Sequence, residues 1–408
     1  MGELVELNEP LELEEALEIL TEHAPEIMET ETLPLPDACG RVLSEDVTAE
    51  RNQPPFPRSP LDGYAVKSAD LIGAGPDSPA VLRVLDEVDA GHPARAAVRG
   101  RTAVRIMTGA PIPDGADTVV RQEDTDEGEE TVQVFCTQKP WENYCPAGED
   151  YHKGDRLLKK GMRLYAAEIG ILAGLGRTKV KVFRKPRVLL LAAGDELAEP
   201  GSSLSAGQIY NSNLPMLRAQ CRLWDLEVVG ERSVPDDAEA AASFLRENAG
   251  RADLILTTGG VSVGKRDILH EVYRILGAER LFWRIAVKPG MPVLAGMYDG
   301  REILSLSGNP YAALADLTLL VKPVLRKMTG RDDLRTVREK AVLLNGYPKK
   351  SPGRRFVRGF VRDGKVRLTD RSNDSGLLSS MAGLNCMAEI PAGSPALHAG
   401  EIVTVVRL

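Results

Sequence analysis

RVLLLAAGDEL at residues 187–197, DLILTTGGVSVGKRD at 253–267 and EILSLSGNP at 302–310 share one plan: an apolar run of strand length, then glycine and small polar residues. Helical segments lie between them, one after Asn213, one from Asp236 and one from Asp267, with LEVVGE as a further strand. Alternating strands and helices fold as βαβ units around an open, mostly parallel sheet. Asp299 and Gly300 join PVLAGM to EILSLS as a hairpin, and YAALADLTLLVKPVLRKM closes the unit as a helix begun by Pro310.

In such sheets ligands bind beyond the carboxyl ends of the strands, so the residues after each run form the candidate site. Three loops converge there: Gly194-Asp195-Glu196, Gly259-Gly260-Val261-Ser262-Val263-Gly264, and Ser307-Gly308-Asn309-Pro310. The glycine-rich loop lets backbone N–H groups approach phosphate oxygens, with the next helix turning its positive end toward them and Lys265 and Arg266 adding charge. A plain turn is the competing reading. The G-K-[ST] and G-x-G-x-x-G spacings of a P-loop or a Rossmann fingerprint are absent. Glu196 and Asp267 both follow strands, where two carboxylates jointly hold a hard cation such as Mg²⁺ against an anionic substrate; alternatively Asp267 caps its helix and Asp195 a turn. Upstream, PPFPRSPLDGYAV packs Pro54, Pro55, Phe56, Arg58 and Asp62 into a rigid loop, or an ordinary turn.

Working outward, residues 11 to 28 carry Leu11, Leu13, Ala16, Leu17, Leu20 and Ile27 at mostly helical spacing among glutamates, an amphipathic helix. Short apolar runs from 51 to 141 predict a β-rich insertion, and FVRGFV and KVRLTD joined across Asp363 and Gly364, with IVTVVRL at the end, predict a closing β-barrel. The expected organisation is an α/β multidomain chain. Residues 1–50 with 142–181 make a discontinuous, elongated linker domain, 51–141 the insertion, 182–329 the α/β domain and 330–408 the barrel. A chain of 408 residues supports two to four domains. Its net charge of -8 repels nucleic acid and anionic membrane surfaces. The acidic N-terminus lacks the flank of a signal peptide and no apolar run approaches a membrane span, so the cytoplasm is the expected location. Five scattered cysteines without a C-x-x-C pair argue against a disulfide framework or a cysteine-ligated metal.

Seven ordered segments, PPFPRSPLDGYAV, RIMTGAPIPDGADTVV, GEDYHKGD, GDEL, GQIYNSN, TTGGVSVGKRD and VKPGMP with SGNP, resemble the MoeA family of molybdenum insertases, relatives of the gephyrin C-terminal domain. The resemblance spans nearly the whole chain. It implies an elongated homodimer, with the active site between the α/β domain of one subunit and a β-rich domain of the other. It implies adenylylated molybdopterin and molybdate as substrates, Mg²⁺ as cofactor, AMP as product and contact with the molybdopterin adenylyltransferase. The family's functional acids fall on Asp62, Asp150, Glu196 and Asp267, its motif threonine on Thr108 and its basic positions on Arg284 and Lys288. Glu196 and Asp267 would hold Mg²⁺. Thr258, Gly259, Gly260, Ser262, Gly264, Gly308, Asn309 and Pro310 would line the ligand, and the C-terminal anion-binding pair maps to Arg354 or Arg355 and to Ser379.

Two departures stand out. The family's K-P-G-K-P reads Lys288-Pro289-Gly290-Met291-Pro292 here, and its P-G-N-P-V-S reads Ser307-Gly308-Asn309-Pro310-Tyr311-Ala312. A lysine and a serine of the oxyanion pocket are thus replaced by Met291 and Ala312, which brings tungstate, a near-isostere, into play. A molybdopterin adenylyltransferase and a non-catalytic gephyrin-like scaffold are the competing functions. The β-rich domains argue against the first, and retention of Asp62, Thr108, Glu196 and Asp267 argues against the second.

Overall fold

The computed structural model describes residues 9–261, 268–370 and 374–408. Ser262, Gly264, Lys265, Arg266 and Asp267 lie outside the described residues.

The strand Arg187–Ala193 is buried at every position after Arg187. Its residues alternate between two cores, as the two-residue period of a strand requires. Val188, Leu190 and Ala192 face one cluster with the helices Leu13–His23 and Asn213–Leu223, whereas Leu189, Leu191 and Ala193 face the other with Ala238–Asn248 and Leu269–Leu276. Helices cover both faces, which is why the strand reads as an unbroken apolar run. Each buried leucine contributes about 1.5–3 kcal/mol.

Six strands form this sheet, in the order Glu227–Val234, Arg187–Ala193, Leu254–Thr258, Arg301–Leu306, Leu294–Tyr298 and Glu279–Trp283. Three of its five pairings are parallel. The exceptions follow from Asp299 and Gly300, both at positive φ, which turn Leu294–Tyr298 tightly into Arg301–Leu306. From Arg187–Ala193 the chain first adds a strand on one side, then crosses back to add Leu254–Thr258 on the other. That reversal opens a crevice between the carboxyl ends of the two strands.

The segment 63–134 is a curled five-stranded sheet, and on either side of it in sequence Thr30–Pro34 pairs with Lys179–Phe183 and Val47–Thr48 with Arg156–Leu158. The helix expected over 11 to 28 runs only from Leu13 to His23, and it buries Leu13, Ala16 and Leu20 against the central sheet. At the other end of the chain five strands close on themselves, Arg354–Arg362 pairing with both Lys365–Leu368 and Cys386–Ile390. One further pairing joins barrel to centre: Val287–Lys288 runs parallel to Arg354–Arg355.

Candidate functional site

At the crevice Leu254–Thr258 ends in Gly259 at φ 85°, where a side chain would overlap the Ala193 carbonyl oxygen. Only glycine lets the two strand ends approach so closely. Gly308 comes in from the next strand, and a Cβ there would lie 3.3 Å from the Gly259 Cα. Buried side chains lock the three turns together. Asn213 Nδ2 donates to Thr258 Oγ1 at 2.9 Å and to the Gly308 carbonyl at 2.7 Å, while Thr258 Oγ1 donates to the Ser307 carbonyl at 2.9 Å. Asn213 Oδ1 is buried without a partner among the described residues.

Above this floor is a cavity of about 660 Å³ that gathers Glu196, Thr258, Gly259, Gly260, Gly308, Asn309 and Pro310, all expected site residues. Glu196 is exposed and folds over Gly194. Asp236, not foreseen as a site residue, also lines the cavity. The sequence suggested that the helix starts there, but Asp237 does the capping, accepting from the N–H groups of Glu239 and Ala240 at 2.9 and 3.1 Å. Asp195 holds the turn, its Oδ1 accepting from the Asp236 N–H at 3.0 Å. Among the described residues no three histidine, cysteine or acidic side chains come together as a metal site.

A second cavity, of about 480 Å³, shares Pro292, Ser307 and Asn309 with the first. Its cations are Lys288 and Arg355, which the parallel pairing places side by side in register. Arg355 Nε is buried without a partner among the described residues. Arg354, on the alternate face of the strand, is paired with Glu14 at 2.7 and 2.9 Å and with Glu389 at 2.6 Å. Met291 and Ala312 both line the second cavity. Ser379 is exposed and lines neither; Ser375 takes part instead, its Oγ accepting from Asn309 Nδ2 at 3.0 Å. Tyr311 O–H donates to the Phe356 carbonyl at 2.9 Å, under the guanidinium of buried Arg358. Apart from the order of the motifs, no sequence signal marks these contacts.

Arg284 lines neither cavity. Its guanidinium stacks 4.0 Å from the ring centroid of Trp283, whose indole N–H donates to the Val261 carbonyl at 3.2 Å. Asp62 and Thr108 pair at the β-rich end of the chain, away from both cavities. Asp62 Oδ1 accepts from both the N–H and the hydroxyl of Thr108 at 2.7 Å, and these bonds hold its carboxyl below the usual carboxylate range, the backbone N–H contributing most. Asp150 is exposed, with its N–H on the Gln53 carbonyl at 2.9 Å.

Comparison with known proteins agrees along the whole chain. Residues 11–176 match the MoeA N-terminal region (domain I and II), 190–327 a probable molybdopterin binding domain, and 340–408 the MoeA C-terminal region (domain IV). The molybdopterin molybdenumtransferase of Staphylococcus epidermidis is 35% identical over 405 residues, covering 98% of this chain and 96% of that protein. That of Staphylococcus aureus strain COL is 36% identical over 409 residues, covering 99% and 97%. The crystal structure of the molybdopterin biosynthesis moeA protein from Pyrococcus horikoshii OT3 superposes with a TM-score of 0.84 at 31% identity, covering 98% of this chain and 100% of that one. The chain belongs to the MoeA family of molybdopterin molybdenumtransferases.

Proposed function

We propose that this protein is a molybdenum insertase that transfers molybdenum from molybdate to adenylylated molybdopterin and releases AMP. The observation that carries the reading is the pair of cavities divided by one wall, Pro292, Ser307 and Asn309. The first suits the adenylylated pterin. Gly259 and Gly260 turn backbone toward a diphosphate, and Asn213 Oδ1 is an acceptor for a ligand N–H. The second suits a tetrahedral dianion between Lys288 and Arg355. An oxyanion held there would face the dithiolene across the shared wall of Pro292, Ser307 and Asn309.

Glu196 and Asp236 give the first cavity two oxygen-donor side chains that would hold a Mg²⁺, with Asp267 as a further ligand in this reading. The cation, when bound, offsets charge on the diphosphate and makes AMP a better leaving group. Asp62, Thr108 and Asp150 orient water or the diphosphate from a second copy of the chain, so the working form is a homodimer. Arg284 acts through Trp283 on the glycine loop. The adenylylated substrate comes from an adenylyltransferase in the cytoplasm, and contact with that enzyme belongs to the same proposal. One observation favours a tungstate preference as the second reading: both apolar replacements, Met291 and Ala312, face the oxyanion cavity.

The test is AMP release from purified protein given adenylylated molybdopterin and Mg²⁺, with molybdate, tungstate or neither. Release with molybdate is expected. Release with tungstate alone would change the metal, and no release with either would move the protein to the adenylyltransferase or scaffold class.

A further inference from the structure

The helix that begins at Pro310 carries one acid, Asp316, in the run YAALADLTLLV, and Asp316 is fully buried. Its Oδ2 accepts from the Ser307 N–H at 3.1 Å. Its Oδ1 has no partner among the described residues and lies against Gly290, where a side chain would overlap it. One carboxyl group therefore touches both backbone segments that line the oxyanion cavity, the loop 288–292 and the turn 307–310. Immediately after it the helix changes to π winding over Leu317–Val321, a distortion that recurs at functional sites. A hydrocarbon would pack at 316 without the cost of a buried, half-satisfied acid. Burial pushes the carboxyl well above its usual range, which favours its neutral form.

We propose that Asp316 is the positioning residue of the oxyanion cavity, holding the 288–292 loop and the 307–310 turn at one fixed separation and thereby aiming Lys288 and Asn309. The identity of the anion rests on the insertase reading; the coupling of the two loops does not.

Wild type, Asp316→Asn and Asp316→Ala are compared by backbone amide hydrogen exchange and by equilibrium binding of molybdate and tungstate to the full chain. Asparagine keeps the shape and the acceptor for Ser307, and is expected to match wild type in exchange and to bind within about threefold. Alanine is expected to raise exchange together at Lys288, Gly290 and Met291 and at Ser307, Gly308 and Asn309, with Arg187–Ala193 still protected and oxyanion binding about tenfold weaker. A change confined to Ser307 would overturn the proposal. Exchange rising through the whole sheet, or an alanine variant that fails to fold while asparagine is unaffected, would assign Asp316 to general stability and overturn it too. If wild type binds neither anion, the insertase reading fails and the exchange comparison alone decides Asp316.

Discussion

The two ends of the central sheet hold the same functional group in opposite circumstances. At the carboxyl end Glu196 is exposed on the rim of a cavity of about 660 Å³. Toward the amino end of Arg301–Leu306, Glu302 is wholly buried, in register with Leu254 on one side and Met297 on the other, and neither carboxyl oxygen has a partner among the described residues. Burial pushes its pKa up to about 8. A carboxylate facing open space can meet a cation or a diphosphate; one sealed among leucines keeps its proton instead. Function and stability are thus separable along one sheet, and substitution at each end should read out in a different assay.

The largest effect is expected at the open end. Glu196→Ala should keep pterin binding, because the glycine turns and Asn213 are untouched, yet slow AMP release roughly a hundredfold or more by removing charge that acts on the leaving group. Release at the wild-type rate, measured beside ligand affinity, would erase the distinction between the two acids. At the sealed end Glu302→Gln should leave turnover alone and change stability. The folded pKa of about 8 lies above the ordinary glutamate value of 4.5, so the folded state keeps a proton that the unfolded chain has lost. Below the lower value there is no penalty, and stability falls as pH rises through the window between the two, by at most about 1.4 kcal/mol per unit. Glutamine lacks that loss, so the variant should gain about 3 kcal/mol at pH 7 and nothing near pH 4. Equal denaturation curves at both pH values would show that water reaches Glu302.

The sheet and its glycine turns were legible because both faces of Arg187–Ala193 are covered and because the glycines mark strand ends that must touch. Partnership was not legible. The amphipathic spacing of Leu13, Ala16 and Leu20 announces an apolar face but not that the central sheet receives it. Arg354 and Arg355 are chemically identical neighbours, and only the parallel register with Val287–Lys288, together with Glu14 and Glu389, sends one to an ion pair and the other to the cavity. Asp236 was hidden by Asp237, since either could cap the helix. Asp62, Thr108 and Asp150 were singled out through their motifs alone, and a motif carries no information about what a residue faces in space.

The smallest effect sharpens the contrast within the open end, between the cavity lined by Glu196, Asp236 and the glycine turns and its neighbour, where Lys288 and Arg355 stand with Asp374. Met291 lies on the wall of the second cavity, and its carbonyl accepts from the N–H groups of both Ile285 and Val293 at 3.0 Å. The backbone is held independently of the side chain, so Met291→Lys changes the lining and little else. An added ammonium beside Lys288 and Arg355 would repel both while the cavity is empty and be relieved when an anion enters, which places its gain in binding and not in stability. Affinity for molybdate and tungstate should rise roughly tenfold, with pterin affinity in the first cavity unchanged. A rise for tungstate alone would mean that the thioether already sets selectivity between the metals; no rise for either would mean that Lys288 and Arg355 saturate the anion and that the apolar position is neutral.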